Sequence, residues 1–594
     1  VSPDPDPDRD SAPVNAATAQ ARTLLDELVR GGVAHVVVCP GSRSAALAFA
    51  AHAAASRDDL TLHTRLDERT AGFLALGLAR TSRRPVAVVT TSGTATANLH
   101  PAVLEASHAG LPLVVLTADR PAHLRGTGAN QTTDQVHLYG TATRLFADVP
   151  AGAPGHSEDQ QVAGWRSLVA RALAAASGHA GPPPGPVHLN VQLDGPMTPD
   201  APDGWSSDAP GRARDLPWTR STRPREALVP RPAATAPAEE DPWDDDVPTV
   251  VVAGDDAGPP ARVLAEERGW PLLAEPSSGS RTGANAVRTY RLLLGDADLA
   301  GRIRRVVVAG HPTLSRPVTR LLSRDDVEVV ALRDRLGGWT DPGHRVSRVL
   351  DQAPLRPATA PGAPRAERPA PGPWLREWLD RDADVGARLD ALLDATGDLT
   401  PQHVAGEVAA ALVPGGLLFV GASNPVRDLD LMVPRYDVGA RRMVVANRGL
   451  SGIDGIVSSA IGAALGRPRS TRSLALVGDV TFLHDTTGLV LGPDEARPDL
   501  TIVVVNDDGG SIFALLEQGA PEHAGSFERL FATPHGVDLA SLCAATGTTY
   551  VRAGDRAELR AALAREPQGI LVVEAVVRRD TRRDLDAAIR ALVG

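Results

Sequence analysis

Short apolar runs that stop at turn-forming residues recur along this 594-residue chain, separated by Ala- and Leu-rich stretches with helical period. Runs at 34–39, 61–67, 85–90 and 111–117 are too short for buried helices. They end at Pro-Gly-Ser, Asp-Glu, Ser-Gly-Thr and Ala-Asp-Arg-Pro, so each predicts a strand feeding a helix. The pattern returns at 249–253, 271–274, 305–309 and 327–332, and again at 417–420, 443–446, 474–477, 501–505 and 570–573. Strands alternating with helices, with turn chemistry at their carboxyl ends, predict an α/β chain of three doubly wound parallel-sheet modules. Two stretches lack periodicity: 200–246, rich in Pro, Asp, Arg and Trp, and 353–373, rich in Pro and Ala. The expected division is therefore a disordered start over 1–14, modules over 15–199, 247–352 and 374–594, and linkers over 200–246 and 353–373.

The densest candidate chemistry lies between Leu474 and Phe513. One apolar run stops at Gly478-Asp479 and the next at Asn506-Asp507-Asp508-Gly509-Gly510. A single Asp after a strand more often caps the following helix. Two of them at the ends of adjacent parallel strands, followed by glycines that free the backbone, can hold a hard divalent cation together with phosphate oxygens.

Composition narrows the chemistry. The net charge of -11 argues against general nucleic-acid binding. Only Cys39 and Cys543 occur, which excludes a disulfide framework and disfavours a thiolate metal site. No apolar run is long enough to span a bilayer, and Val1 to Asp10 is Pro- and Asp-rich without a hydrophobic signal segment, so a cytoplasmic location is expected. The chain contains no lysine; all 61 basic residues are arginine. Schiff-base and pyridoxal-phosphate chemistry and a P-loop are thereby excluded, and carboxylate substrates would have to be gripped by guanidinium groups.

A set of segments in both outer modules carries a resemblance. They are Cys39-Pro-Gly-Ser-Arg-Ser44, Leu66-Asp-Glu-Arg69, Thr91-Ser-Gly-Thr94, Ala118-Asp-Arg-Pro121 and Gly128-Ala-Asn-Gln131 in the first. In the last they are Ser423-Asn-Pro-Val-Arg427, Asn447 to Gly455, Gly478 to Asp485 and Gly509-Gly-Ser-Ile-Phe513. Across its whole length the chain resembles the thiamine-diphosphate enzymes, and within them the 2-succinyl-5-enolpyruvyl-6-hydroxy-3-cyclohexene-1-carboxylate synthase family.

The resemblance implies a pyrimidine-binding first module, a middle module and a diphosphate-binding last one, in a homodimer with active sites at the interface; pairing of two dimers stays open. It implies thiamine diphosphate and Mg2+ or Mn2+ as cofactors. Glu68 is the expected catalytic acid at the aminopyrimidine ring. Ser423, Asn424, Gly478, Asp479, Val480 and Ile512 are expected around the cofactor, with Ile453 wedging its bend. The metal ligands are expected to be Asp479, Asp507 and the carbonyl of Gly509; where the superfamily has two consecutive asparagines this chain has Asn506-Asp507, and a register shift of one would substitute Asn506 as ligand.

The implied reaction decarboxylates 2-oxoglutarate and adds the succinyl carbanion equivalent to isochorismate in a 1,4-addition, in menaquinone biosynthesis. Two dicarboxylate substrates call for several cations, and the resemblance nominates Arg43, Arg120, Arg427 and Arg448, with Ser42, Asn130 and Gln131 as neutral donors and Phe513 as an apolar wall. Arg316 is a weaker candidate. His484 and Asp485 follow the metal turn but read as helix-terminal structure. His63, His100, His108 and His123 lack ligand spacing for zinc. The alternatives are another thiamine-diphosphate 2-oxoacid decarboxylase or carboligase, and a coenzyme-binding protein without activity.

Overall fold

The computed structural model describes residues 13–153, 155–199, 204–206, 211–221, 243, 246–351, 371–433, 435–566 and 568–593. The expected loose start at 1–14 and the linkers at 200–246 and 353–373 lie mostly outside these residues. Of the part that is described, Trp205 pairs with Val14 and stacks on Trp165, and Trp243 is buried in a core.

Every named strand lies in one of three all-parallel sheets. The first contains β1 (His35–Val38), β2 (Thr61–Thr64), β3 (Val86–Thr90), β4 (Leu113–Asp119), β5 (Phe146–Val149) and β6 (Val187–Gln192), in the order β2-β1-β3-β4-β6-β5. The second contains β7 (Thr249–Ala253), β8 (Leu272–Ala274), β9 (Arg305–Ala309), β10 (Glu328–Leu332) and β11 (Val346–Leu350), in the order β11-β10-β9-β7-β8. The third contains β12 (Leu417–Val420), β13 (Met443–Val445), β14 (Ser473–Gly478), β15 (Leu500–Asn506), β16 (Thr549–Ala553) and β17 (Ile570–Val576), in the order β13-β12-β14-β15-β17-β16. The strand order of the first and third sheets reverses between their inner strands, the place where open α/β sheets gather ligands.

The chain forms two compact units. One comprises Val1–Pro230, Gly449–Pro468 and Asp485–Pro498, and the other Arg231–Arg448, Arg469–His484 and Asp499–Gly594. In the first unit, alternate residues of the inner strands, Val36, Val38, Ala87, Val89, Val114 and Leu116, face helices Ala16–Arg30, Ala45–Ser56 and Glu158–Ala176. Such period-two burial of branched side chains is the main stabilising term of the sheet. On the opposite face runs helix Glu68–Ser82, capped by Asp67, whose Oδ1 accepts the Arg69 N–H at 2.9 Å. It packs against helix Ile456–Leu465 so closely that a Cβ on Gly77 would stand 2.1 Å from the Ser459 carbonyl oxygen, and one on Gly462 would stand 2.1 Å from that of Leu74. Asp485, fully buried, accepts the Ser458 N–H at 2.7 Å and so satisfies an orphan donor in the first turn of that second helix.

In the second unit, the third sheet carries a core of Leu418, Val420, Leu474, Leu476, Val503, Leu571 and Val573 under helices Pro401–Ala411, Asn424–Met432 and Arg556–Leu563. Buried ion pairs tie its parts: Arg281 to Asp430 at 2.7 Å and Arg582 to Asp428 at 2.6 Å. Among the described residues no helix is long and apolar enough to cross a membrane.

Candidate functional site

The expected site residues gather in two clusters, each at the carboxyl ends of a sheet's inner strands. In the first unit the strand ends are Cys39 to Ser44 after β1, Thr91 to Thr94 after β3 and Asp119 to Pro121 at the end of β4. Arg120 is buried, and its Nη1 donates to Ser92 Oγ at 2.8 Å and to the Gln131 carbonyl at 2.7 Å. Gln131 returns a bond from Nε2 to the Ser92 carbonyl at 2.9 Å while holding φ at 54°. A non-glycine residue in that region stores strain that the surrounding bonds maintain. Beneath the turn, Asn190 donates to Asp119 at 2.9 Å and to Asp148 at 3.0 Å, and Arg125 grips Asp148 with both terminal nitrogens.

Arg43 donates from Nη1 to the Leu193 carbonyl at 3.0 Å. Its pKa is lowered by burial and then by the neighbouring Arg120, which marks the two guanidinium groups as close enough to repel. Ser42 and Asn130 are exposed beside this pair. Glu68, half-buried, is the first residue of its helix, near the buried Cys39 thiol, whose pKa is raised by burial and then by the Glu68 charge. Ile453, partly buried, lies just before helix Ile456–Leu465.

In the second unit three neighbouring strand ends converge. β14 pairs in register with β12 and β15, so Ser423 and Asn424, then Gly478 and Asp479, then Asp507, follow from adjacent strands. Asn424 donates from Nδ2 to Ser511 Oγ at 2.9 Å, and Ser511 donates on to Asp507. The Asn424 Oδ1 atom is buried without a hydrogen-bond partner. Burial and the Asp479 charge push Asp507 up to about 7. Asp479 is also raised by burial, against donation from the Gly509 and Val480 N–H groups and from His535. Two buried carboxyl groups near enough for one charge to raise the other, with a buried unpaired amide oxygen at the next strand end, form a donor set suited to a hard divalent cation with phosphate. Asn506 points elsewhere: its Nδ2 donates to Glu574 on β17 at 2.5 Å. Ile512 is partly buried, and Phe513, more exposed, packs on Phe531.

The turn after β15 is fastened from a distance. Gly509, at φ 143°, donates to Asp479 Oδ2 at 2.8 Å, and a Cβ there would meet the Ala532 carbonyl at 2.2 Å, so only glycine fits. Gly510 donates to the same Ala532 carbonyl at 2.7 Å. The N–H groups of His535 and Gly536 both donate to Asp508 Oδ1, at 3.0 and 2.8 Å. His535 Nδ1 accepts the Val537 N–H at 3.0 Å, which leaves Nε2 as the donor to Asp479 Oδ2 at 3.1 Å. Neither Ser511 nor His535 was singled out by the sequence. Ser511 sits inside the Gly509–Phe513 segment without a distinguishing feature, and His535 is an isolated histidine 28 residues beyond Asp507.

Arg427 and Arg448 also come together. Arg427 donates to the Ser423 carbonyl at 2.5 Å, and its pKa is lowered by burial and then by Arg448. Arg448 donates to Thr313 Oγ1 at 2.5 Å. The Glu275 charge also reaches both arginines, and no local sequence pattern marks that residue. Arg316, by contrast, forms an exposed ion pair with Glu517 at 2.7 Å.

Comparison with known proteins agrees with this geometry. Residues 19–138 match the family described as thiamine pyrophosphate enzyme, N-terminal TPP binding domain, and residues 431–575 match its C-terminal TPP binding domain. A Nocardioides protein named 2-succinyl-5-enolpyruvyl-6-hydroxy-3-cyclohexene-1-carboxylate synthase is 58% identical over 100% of this chain and 99% of its own length. Proteins of the same name from Kineococcus radiotolerans and Saccharopolyspora erythraea are 50% and 45% identical, each over 98% of this chain and 100% and 99% of their own lengths. At such identity over full length, with the thiamine pyrophosphate domains at both ends, the chain belongs to the 2-succinyl-5-enolpyruvyl-6-hydroxy-3-cyclohexene-1-carboxylate synthase family of thiamine pyrophosphate enzymes.

Proposed function

We propose that the protein uses thiamine diphosphate and a divalent cation, Mg2+ or Mn2+, to decarboxylate 2-oxoglutarate and join the resulting succinyl unit to isochorismate in a 1,4-addition, in menaquinone biosynthesis. The observation that carries the reading is the convergence of Asn424, Asp479, Asp507 and Ser511 at three adjacent strand ends. When bound, the cofactor supplies the carbon nucleophile and stores the electron pair released on loss of CO2.

The chain's residues do the rest. Asp479, Asp507 and the Gly509 carbonyl hold the cation, and Ser423 and Asn424 donate to the diphosphate; Gly478 and Val480 frame it. Glu68 holds a proton at the aminopyrimidine ring, and Ile453 and Ile512 pack against the cofactor. Arg43, Arg120, Arg427 and Arg448, with Ser42, Asn130 and Gln131, orient the substrate carboxylates, because guanidinium groups in a partly desolvated setting bind them more strongly than in water. Phe513 excludes water beside the reacting carbon.

We further propose a homodimer in the cytoplasm, with 15–199 as the pyrimidine-binding domain and 374–594 as the diphosphate-binding domain. The test is an assay of purified protein with Mg2+ and thiamine diphosphate, following isochorismate loss and product mass. Loss that requires both 2-oxoglutarate and cofactor supports the reading. CO2 release that ignores isochorismate would make the protein a 2-oxoacid decarboxylase instead.

A further inference from the structure

Glu275 lies just past the end of β8, where its backbone N–H donates to the Ala253 carbonyl at 2.8 Å. Its side chain is 2% exposed. Oε1 accepts the Leu314 N–H at 2.8 Å, while Oε2 is buried with no hydrogen-bond partner. An unpaired buried carboxyl oxygen costs free energy and asks for an explanation. The neighbouring residue Thr313 is the acceptor for Arg448, so one two-residue segment fastens both the carboxyl and the guanidinium. Arg427 feels the Arg448 and Arg291 charges, which lower its pKa as burial does, and the Asp428 and Glu275 charges, which raise it. The other charged and titratable groups facing Glu275 are Asp430 and Asp255, with Tyr290 beside them, and Asp430 is already held by Arg281 at 2.7 Å and by the Tyr290 hydroxyl at 3.0 Å.

We propose that Glu275 is a positioning residue that sets the charge the Arg427–Arg448 pair presents to substrate: the pair grips a dicarboxylate while Glu275 keeps its proton, and loosens when that proton leaves. The inference rests on the reading that this pair binds substrate carboxylate. Burial pushes the Glu275 carboxyl up to about 8, with the Arg448 charge and the Leu314 N–H opposing and the Asp430 and Asp255 charges adding to the rise. Below that pH the pair of guanidinium groups faces a neutral carboxyl. Above it, an internal carboxylate competes with the substrate for them, and by linkage an arriving dianion draws a proton onto Glu275.

The test measures KM for 2-oxoglutarate, with isochorismate saturating, across the range from about pH 6.5 to 9. Wild-type KM is expected to rise about tenfold through this range, equivalent to one unit of differential protonation. Glu275→Gln, which keeps the acceptor for Leu314 but cannot ionise, is expected to hold KM flat. Should that variant fold poorly, calorimetry of glutarate binding to the wild-type holoenzyme at pH 8, in two buffers of different ionisation enthalpy, reads the same event as proton uptake. An equal KM rise in Glu275→Gln, or no proton uptake by the wild type, overturns the role of Glu275 and leaves the proposed reaction standing. If the wild type consumes no isochorismate with 2-oxoglutarate, the proposed function itself falls, and this role with it.

Discussion

Gly77 offers the sharpest test of how the first unit is held together. It sits where helix Glu68–Ser82 crosses helix Ile456–Leu465, and an added Cβ would lie 2.1 Å from Ser459 O, 2.8 Å from Ser459 C and 2.9 Å from Ala463 N. The first distance is roughly 1.3 Å short of the 3.4 Å at which ordinary contact begins. All three atoms are backbone, so no side chain can swing away and the helices must part. Overpacking of this kind costs about 1–3 kcal/mol, and the upper end applies where backbone must move. Helix propensity returns about 0.5–1 kcal/mol for Gly→Ala. The net expectation for Gly77→Ala is a loss of about 2 kcal/mol. Gly164, in helix Glu158–Ala176 with nothing within 4 Å of an added methyl, provides the control, since Gly164→Ala there collects the propensity term alone. Urea titration followed by circular dichroism should move the first unfolding midpoint down for Gly77→Ala and up slightly for Gly164→Ala. A Gly77→Ala midpoint equal to that of wild type would refute the crossing as described. Because Glu68 opens the same helix, the variant should also bind thiamine diphosphate more weakly.

Three further outcomes are expected. Glu68→Gln should retain cofactor affinity by calorimetry while kcat falls at least about a hundredfold, the scale of a lost proton-transfer group. Arg120→Ala should mainly raise KM for the carboxylate substrates, and should also loosen the Gln131 backbone, visible as faster amide exchange there. Asp507→Asn should stabilise the metal-free protein in EDTA at pH 8 and leave it unchanged at pH 3.5, read by thermal denaturation. The folded-state pKa of Asp507 is raised from 3.8 to about 7, so its contribution to stability is present below the lower value and lost as pH rises to the upper.

The sequence displayed most inner strands, and the edge strands β2, β8 and β13, because each runs into a turn and most are runs of branched apolar residues. The structure adds four strands that such reasoning passed over, for physical reasons. β6 lies between β4 and β5, yet it carries His188 and Asn190 buried, where Thr117 Oγ1 bonds His188 Nε2 and Asn190 Oδ1 at 2.8 Å each, so its apolar run is broken by polar residues that only the fold can pair. β5, β11 and β16 are sheet edges with half-exposed faces, which need less apolar surface to form. Asp479 and Asp507 were legible because each closes a strand. Glu275 and His535 were not, because a carboxyl or imidazole acquires its role from what packs around it, and neither sits in a local pattern that announces those neighbours.

The fastening of the Asp507–Gly510 turn to Ala532, His535 and Gly536 has a kinetic meaning. The amides of Gly509 and Gly510 donate to Asp479 and Ala532, and those of His535 and Gly536 share Asp508 Oδ1, so the turn is bonded to the 532–536 segment from both sides. These four amides should therefore exchange hydrogen as one cooperative element, separate from the strands that precede them. A cation held by Asp479 and Asp507 would tie that element shut, so its exchange rate becomes a spectroscopic gauge of metal occupancy that needs neither substrate nor turnover.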